Sequence, residues 1–116
     1  MTAAAAVLVI EDNLELADCV REALETAGYY VVTASNGVEG LEALRTITPR
    51  LILLDLAMPV MNGTEFMAEL RRRRHETPVV VASAFADFIG VPADVREVIR
   101  KPFSTKRVLE AVRRHG

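Results

Sequence analysis

The chain has 116 residues, 51% of them hydrophobic and 26% charged, with a formal net charge of −2. That length suits one domain spanning 1–116, and the composition excludes a disordered chain, in which apolar content falls and net charge rises. No apolar run approaches the roughly 20 residues a membrane span needs, and Met1–Ala6 lacks the charged start and apolar centre of a signal peptide, so a cytoplasmic protein without membrane insertion is expected.

Charge is unevenly spread. Residues 1–70 carry 3 basic and 11 acidic side chains, and residues 71–116 carry 11 basic and 5 acidic. The run Arg71–Arg74 lacks the interleaved aromatics of a nucleic-acid surface and closes a helical pattern whose C-terminal dipole favours cations, so no direct nucleic-acid contact is expected. The single Cys19 excludes an internal disulfide, and its place in a helical pattern suggests a small buried thiol without chemistry.

The first element is Val7-Leu8-Val9-Ile10, a continuous β-branched and aliphatic run of the kind buried on both faces of a parallel sheet; it ends in Glu11-Asp12. Leu14, Ala17, Val20, Leu24 and Ala27 then recur at helical steps, and Gly28 supplies the stop. Tyr30–Ala34 reads as a second strand. Asn36-Gly37 opens a helix expected to turn Val38, Leu41 and Leu44 inward, and Pro49 closes that unit.

Leu51-Ile52-Leu53-Leu54 forms a third buried strand that delivers Asp55 at its carboxyl end, before the loop Ala57-Met58-Pro59-Val60-Met61-Asn62-Gly63. A helix around Thr64 to Arg73 places Phe66, Met67 and Leu70 on one side. The fourth strand, Val79–Ala82, ends at Ser83. Gly90 and Pro92 leave little room for a full fourth helix before the short strand Glu97-Val98-Ile99, so a shortened or irregular helix is expected there. After Lys101-Pro102-Phe103, Ser104 caps a last helix that packs Val108, Leu109, Ala111 and Val112 on the sheet.

Strands alternating with helices imply a parallel sheet covered on both faces, with ligands beyond the carboxyl ends of the strands. Glu11, Asp12, Asp55, Ser83 and Lys101 all fall just after strands, so they gather at one edge. Crowded carboxylates repel unless a cation neutralises them, and Mg²⁺ prefers exactly such hard oxygen ligands together with phosphate oxygens. Lys101 offers a compact positive charge and Ser83 a hydroxyl donor to a phosphoryl group. A carboxylate nucleophile with a metal on one side and a lysine on another suffices for phosphoryl transfer, the product being an aspartyl phosphate on Asp55.

Ile10-Glu11-Asp12, Leu54-Asp55 followed by Met58-Pro59 and Gly63, Ala82-Ser83-Ala84 and Lys101-Pro102-Phe103 resemble the response-regulator receiver domain, in the same order and over nearly the whole chain. The resemblance implies a flavodoxin-like (βα)5 doubly wound fold with strand order 2-1-3-4-5. It implies that Asp55 accepts a phosphoryl group from a histidine kinase or histidine phosphotransfer protein. It assigns Asp12 as a direct Mg²⁺ ligand, Glu11 as an acid acting through water, and the Ala57 carbonyl as a further ligand. Ser83 and Lys101 become the phosphate-sensing pair, and Pro102 follows the lysine through a cis peptide.

Three departures qualify it. Glu11 stands where aspartate is more usual. Val98 replaces the aromatic residue three positions before the lysine, so a switch built on that ring cannot operate. The short interval from Ser83 to Lys101 resembles receivers with a reduced fourth helix. No enzyme activity on outside substrates is implied, and the output goes to a downstream protein partner or a fused domain. A stand-alone regulator, a phosphoryl relay or sink and a fragment of a hybrid kinase all stay open.

The competing classes fare worse. A haloacid-dehalogenase phosphatase needs a second acid where Ala57 stands, and a dinucleotide site needs glycines where Glu11-Asp12-Asn13-Leu14 stands. An interaction module that is never phosphorylated is the remaining alternative. His75 and His115 are read as solvated or dipole-compensating groups near helix ends.

Overall fold

The computed structural model describes residues 5–56, 58, 60–84 and 94–116. Five strands form one parallel sheet: β1 (Val7–Ile10), β2 (Val31–Ala34), β3 (Leu51–Leu54), β4 (Val79–Ser83) and β5 (Glu97–Arg100), in the order β2-β1-β3-β4-β5. Helices α1 (Leu14–Thr26), α2 (Gly37–Ala43), α3 (Gly63–Arg72) and α4 (Thr105–His115) complete the described elements. This is the flavodoxin-like order read from the sequence. The segment expected to hold the shortened fourth helix lies outside the described residues, and so do Ala57, Pro59, Phe85 and Phe88.

The sheet divides its side chains by parity, because successive strand residues point to opposite faces. Val7, Val9, Leu51, Leu53, Val80, Ala82 and Ile99 meet Val20 and Leu24 of α1 and Val108, Ala111 and Val112 of α4 in one core. Leu8, Ile10, Ile52, Leu54 and Val79 meet Leu41 of α2 and Phe66, Met67 and Leu70 of α3 in the other. Both β1 and β3 are buried along their whole length, which explains why they read as unbroken apolar runs.

Every described helix begins on a side-chain cap: Asn13, Asn36, Asn62 and Ser104 each accept from the backbone amide three residues on. At Asn62 the reciprocal bond from Glu65 completes a capping box. Gly28 ends the α1 unit at φ 97°, where a Cβ would be disfavoured.

Four expectations fail at helix ends and edges, the plainest being Ala27, which is the exposed C-cap of α1. Leu14 is 68% exposed and Val38 49% exposed, although both fit the apolar periodicity. Each sits in the first turn of its helix on the side away from the core, which is met instead by Leu16 in α1 and Gly37 in α2. Cys19, expected to be buried, is exposed on α1, whose inward positions are taken by Ala17, Val20 and Leu24.

Candidate functional site

Parity also builds the site. Continuing the sheet face of Val7 and Val9 gives Glu11, continuing that of Leu51 and Leu53 gives Asp55, and continuing that of Glu97 and Ile99 past the end of β5 gives Lys101. The sheet hydrogen bonding runs on past the strand ends to hold these backbones: Glu11 N–H donates to Ala34 O (3.0 Å), Asp55 N–H to Ile10 O (3.0 Å) and Lys101 N–H to Ser83 O (3.3 Å). Residues separated by up to 90 positions thus share one edge.

One oxygen from each of Glu11, Asp12 and Asp55 lies within 4.8 Å of the other two. Glu11 and Asp55 are buried, and Asp12 is exposed at the mouth. Lys101 crosses to this cluster from β5: its Nζ donates to Glu11 Oε1 at 2.5 Å and to Asp55 Oδ2 at 3.2 Å. The second oxygen of Glu11, Oε2, accepts from Asn13 N–H at 3.1 Å. Burial pushes the Glu11 carboxyl up, against the opposing pull of the Lys101 and Asn13 hydrogen bonds. Burial alone would lower Lys101, but its bond to Glu11 and the charge of Asp55 prevail, and its pKa is raised.

Ser83 is fully buried at the end of β4, between the strands carrying Asp55 and Lys101. The Lys101-Pro102 peptide is cis, as the resemblance implies. Ala57, expected to offer its carbonyl, lies outside the described residues.

Gly63 has a specific steric role. A Cβ there would come within 2.6 Å of Leu56 Cα and 2.9 Å of Asp55 O, and its amide donates to Leu56 O at 2.9 Å. The start of α3 is therefore pressed onto the backbone that carries Asp55, and only glycine allows it. Beside the pocket, Leu16, Ala84, Lys101, Pro102 and Phe103 line an apolar groove of about 320 Å³.

Sequence reasoning overlooked two features. Asn13 is both the cap of α1 and the backbone anchor of Glu11; an asparagine just before a helical pattern is the signal that could have found it. Away from the acidic edge, Glu97 at the start of β5 accepts from Arg107, from Arg114 at 2.7 Å and pairs with His115 Nε2 at 2.8 Å. Burial opposes its charge, but these three partners drag its pKa down from 4.5 to about 2. His115 is therefore tied to an edge strand and not merely solvated.

The donor set is all oxygen, anionic and in excess by three carboxylates to one ammonium, which fits a hard divalent cation. A doubly wound parallel sheet with such a cluster at its carboxyl edge defines an α/β domain with an acidic pocket at the ends of its strands. The response regulator receiver domain matches residues 7–113, and the chain belongs to that family of two-component signalling domains.

Hybrid signal transduction histidine kinase D of Dictyostelium discoideum is 38% identical over 112 residues, 91% of this chain and 7% of that protein. The alkaline phosphatase synthesis transcriptional regulatory protein PhoP of Bacillus subtilis is 32% identical over 106 residues, 88% of this chain and 44% of that one. The chain thus spans less than half the length of these relatives. Among solved structures, chemotaxis response regulator CheY4 of Vibrio cholerae is 28% identical with a TM-score of 0.87, over 98% of this chain and 100% of that one. Response regulator protein TrrA of Thermotoga maritima, solved in complex with Mg(2+)-BeF, has a TM-score of 0.85 at 24% identity, over 97% and 99% of the two chains.

Proposed function

We propose that residues 1–116 act as one phosphoacceptor unit in the cytoplasm, with Asp55 taking a phosphoryl group from a phosphohistidine on a histidine kinase or histidine phosphotransfer protein. The observation that carries this reading is the convergence of Glu11, Asp12 and Asp55 within 4.8 Å, with Lys101 Nζ 3.2 Å from Asp55. Glu11, Asp12, Asp55 and the Ala57 carbonyl are the groups that would hold Mg²⁺. Bound there, the ion neutralises the crowded carboxylates and the charge on the phosphoryl oxygens.

In the transfer, a lone pair on an Asp55 carboxylate oxygen forms the new O–P bond. The P–N bond breaks with its electron pair going to the imidazole nitrogen, and a proton already on the other ring nitrogen lets the histidine leave neutral. Burial of Asp55 at 5% exposure limits competing water. Lys101, already 3.2 Å from Asp55, would take one phosphoryl oxygen and Ser83 another, and with Pro102 they would be the elements that register the new group. Val98 is only half-buried and carries no ring, so the response passes through the loops after β4 and β5 to a protein-binding face. A downstream protein or a fused domain reads that face.

Intact mass after incubation with acetyl phosphate and Mg²⁺ tests the reading. One phosphoryl adduct is expected on the native chain, and none with chelator or in Asp55→Asn. No adduct on a chain that still binds Mg²⁺ would instead favour an interaction module that is never phosphorylated.

A further inference from the structure

Glu11 does more in this geometry than contribute negative charge. Lys101 starts beyond β5, and in the sheet order it must pass β4 and β3 to reach β1, where Glu11 stands. Those are three strand spacings of about 4.8 Å each. The contact closes because both side chains are long: Nζ reaches Glu11 Oε1 at 2.5 Å, a shorter approach than the 3.2 Å to Asp55 Oδ2. An aspartate at position 11 is one methylene shorter and would leave the ammonium resting on Asp55.

The other face of the Glu11 carboxylate is fixed independently. Oε2 accepts from Asn13 N–H at 3.1 Å, and Asn13 is itself locked as the α1 cap by its bond from Leu16 N–H. With the carboxylate oriented from behind, Oε1 faces Lys101. An oxygen held in a short charge-assisted hydrogen bond is poorly placed to serve a second cation, and a divalent ion beside an ammonium in a pocket this buried is strongly repelled.

We propose that Glu11 is a positioning residue for Lys101: it holds the ammonium in the cation-free pocket and gives it up when a divalent cation enters. Cation loading and release of Lys101 toward an incoming phosphoryl oxygen then become one event. This rests on the receiver reading, because the released lysine acts on the phosphoryl group. Linkage makes the effect reciprocal, so the lysine held at Glu11 weakens cation binding by the same factor that the cation weakens the ion pair.

The test follows the Lys101 side-chain Cε and Nζ signals by NMR, assigned with Lys101→Met, in native protein, Glu11→Gln and Glu11→Asp, with and without MgCl₂. Titration of Mg²⁺ into the same proteins and into Lys101→Met gives affinities. In the native chain MgCl₂ is expected to move the Lys101 signals. In both Glu11 variants those signals should already be displaced without the ion, although Glu11→Asp keeps the charge. Lys101→Met is expected to bind Mg²⁺ about fivefold or more tighter.

Lys101 signals that coincide in the native protein and both Glu11 variants would overturn the proposal, as would an unchanged Mg²⁺ affinity in Lys101→Met. Mg²⁺ binding and phosphorylation that persist alongside either result leave the receiver reading standing and remove this inference alone. A native chain that binds no Mg²⁺ removes both.

Discussion

Two ionic clusters stand at different ends of the chain's strands, and their charge ratios are inverted. At the carboxyl edge Glu11, Asp12 and Asp55 face one Lys101; at the start of β5 one Glu97 faces Arg107, Arg114 and His115. Glu97 begins β5 and Lys101 follows its end, four residues on. The cluster with too few cations is poised to take one more. The cluster with one well-satisfied anion instead fastens α4 to the sheet edge. Deleting a carboxylate should therefore have opposite effects at the two places.

The largest effect is expected at Glu97. Its side chain is only 13% exposed, and Glu97→Ala removes its charge-assisted hydrogen bonds to Arg107, Arg114 and His115 together, which should cost about 3 kcal/mol in denaturant unfolding. The same carboxylate gives a pH signature. Its pKa is about 2 in the folded chain against 4.5 ordinarily, so its stabilisation is full above about pH 4.5 and is lost as pH falls toward 2. Glu97→Gln should flatten that part of the native stability curve. An acid limb unchanged by the substitution would show that the cluster contributes little.

Gly63→Ala comes next. The added methyl has to push back the backbone of Leu56 and Asp55, at a cost of about 2 kcal/mol, and it should slow phosphorylation by acetyl phosphate as well. A variant that loses neither would mean that the start of α3 can move away without disturbing Asp55.

Asp12→Asn should act in the reverse direction from Glu97→Ala. Removing one of three crowded charges is expected to raise metal-free stability by about 0.5 kcal/mol. It should also abolish the gain that Mg²⁺ confers on the native protein, about 1.4 kcal/mol at tenfold excess over Kd. Destabilisation in the absence of metal would break the contrast between the clusters. The smallest effect lies in the loop after Asp55. Val60 is a β-branched residue at φ 70° and 79% exposed, so Val60→Gly should raise the melting midpoint slightly, by about 0.5 kcal/mol in stability.

The sheet and the acidic edge were legible in the sequence for a shared reason. Strands buried on both faces must be unbroken apolar runs, and each run here stops at a polar residue that chemistry singles out: Glu11, Asp55, Ser83. The period of two then puts Glu11, Asp55 and Lys101 on corresponding faces. The Glu97 cluster left no such trace, because its partners lie 10, 17 and 18 positions away and one carboxylate at the start of a short strand looks like any solvated charge. Helix periodicity likewise predicts which residues share a face but not which of them in the first turn meets the core, which is why Leu14 and Val38 are exposed while Leu16 and Gly37 are not. The Glu11–Lys101 contact depended on side-chain length across three strands, a quantity that spacing along the chain does not encode.

The most direct test of the central claim is to locate the phosphoryl group. Borohydride reduces an aspartyl phosphate to homoserine with release of phosphate, so peptide mass mapping of the phosphorylated and reduced chain identifies the acceptor residue by the lower mass of homoserine. The account predicts conversion at Asp55 alone, dependent on Mg²⁺. Conversion at another carboxylate, or none in a chain that has gained a phosphoryl mass, would contradict it.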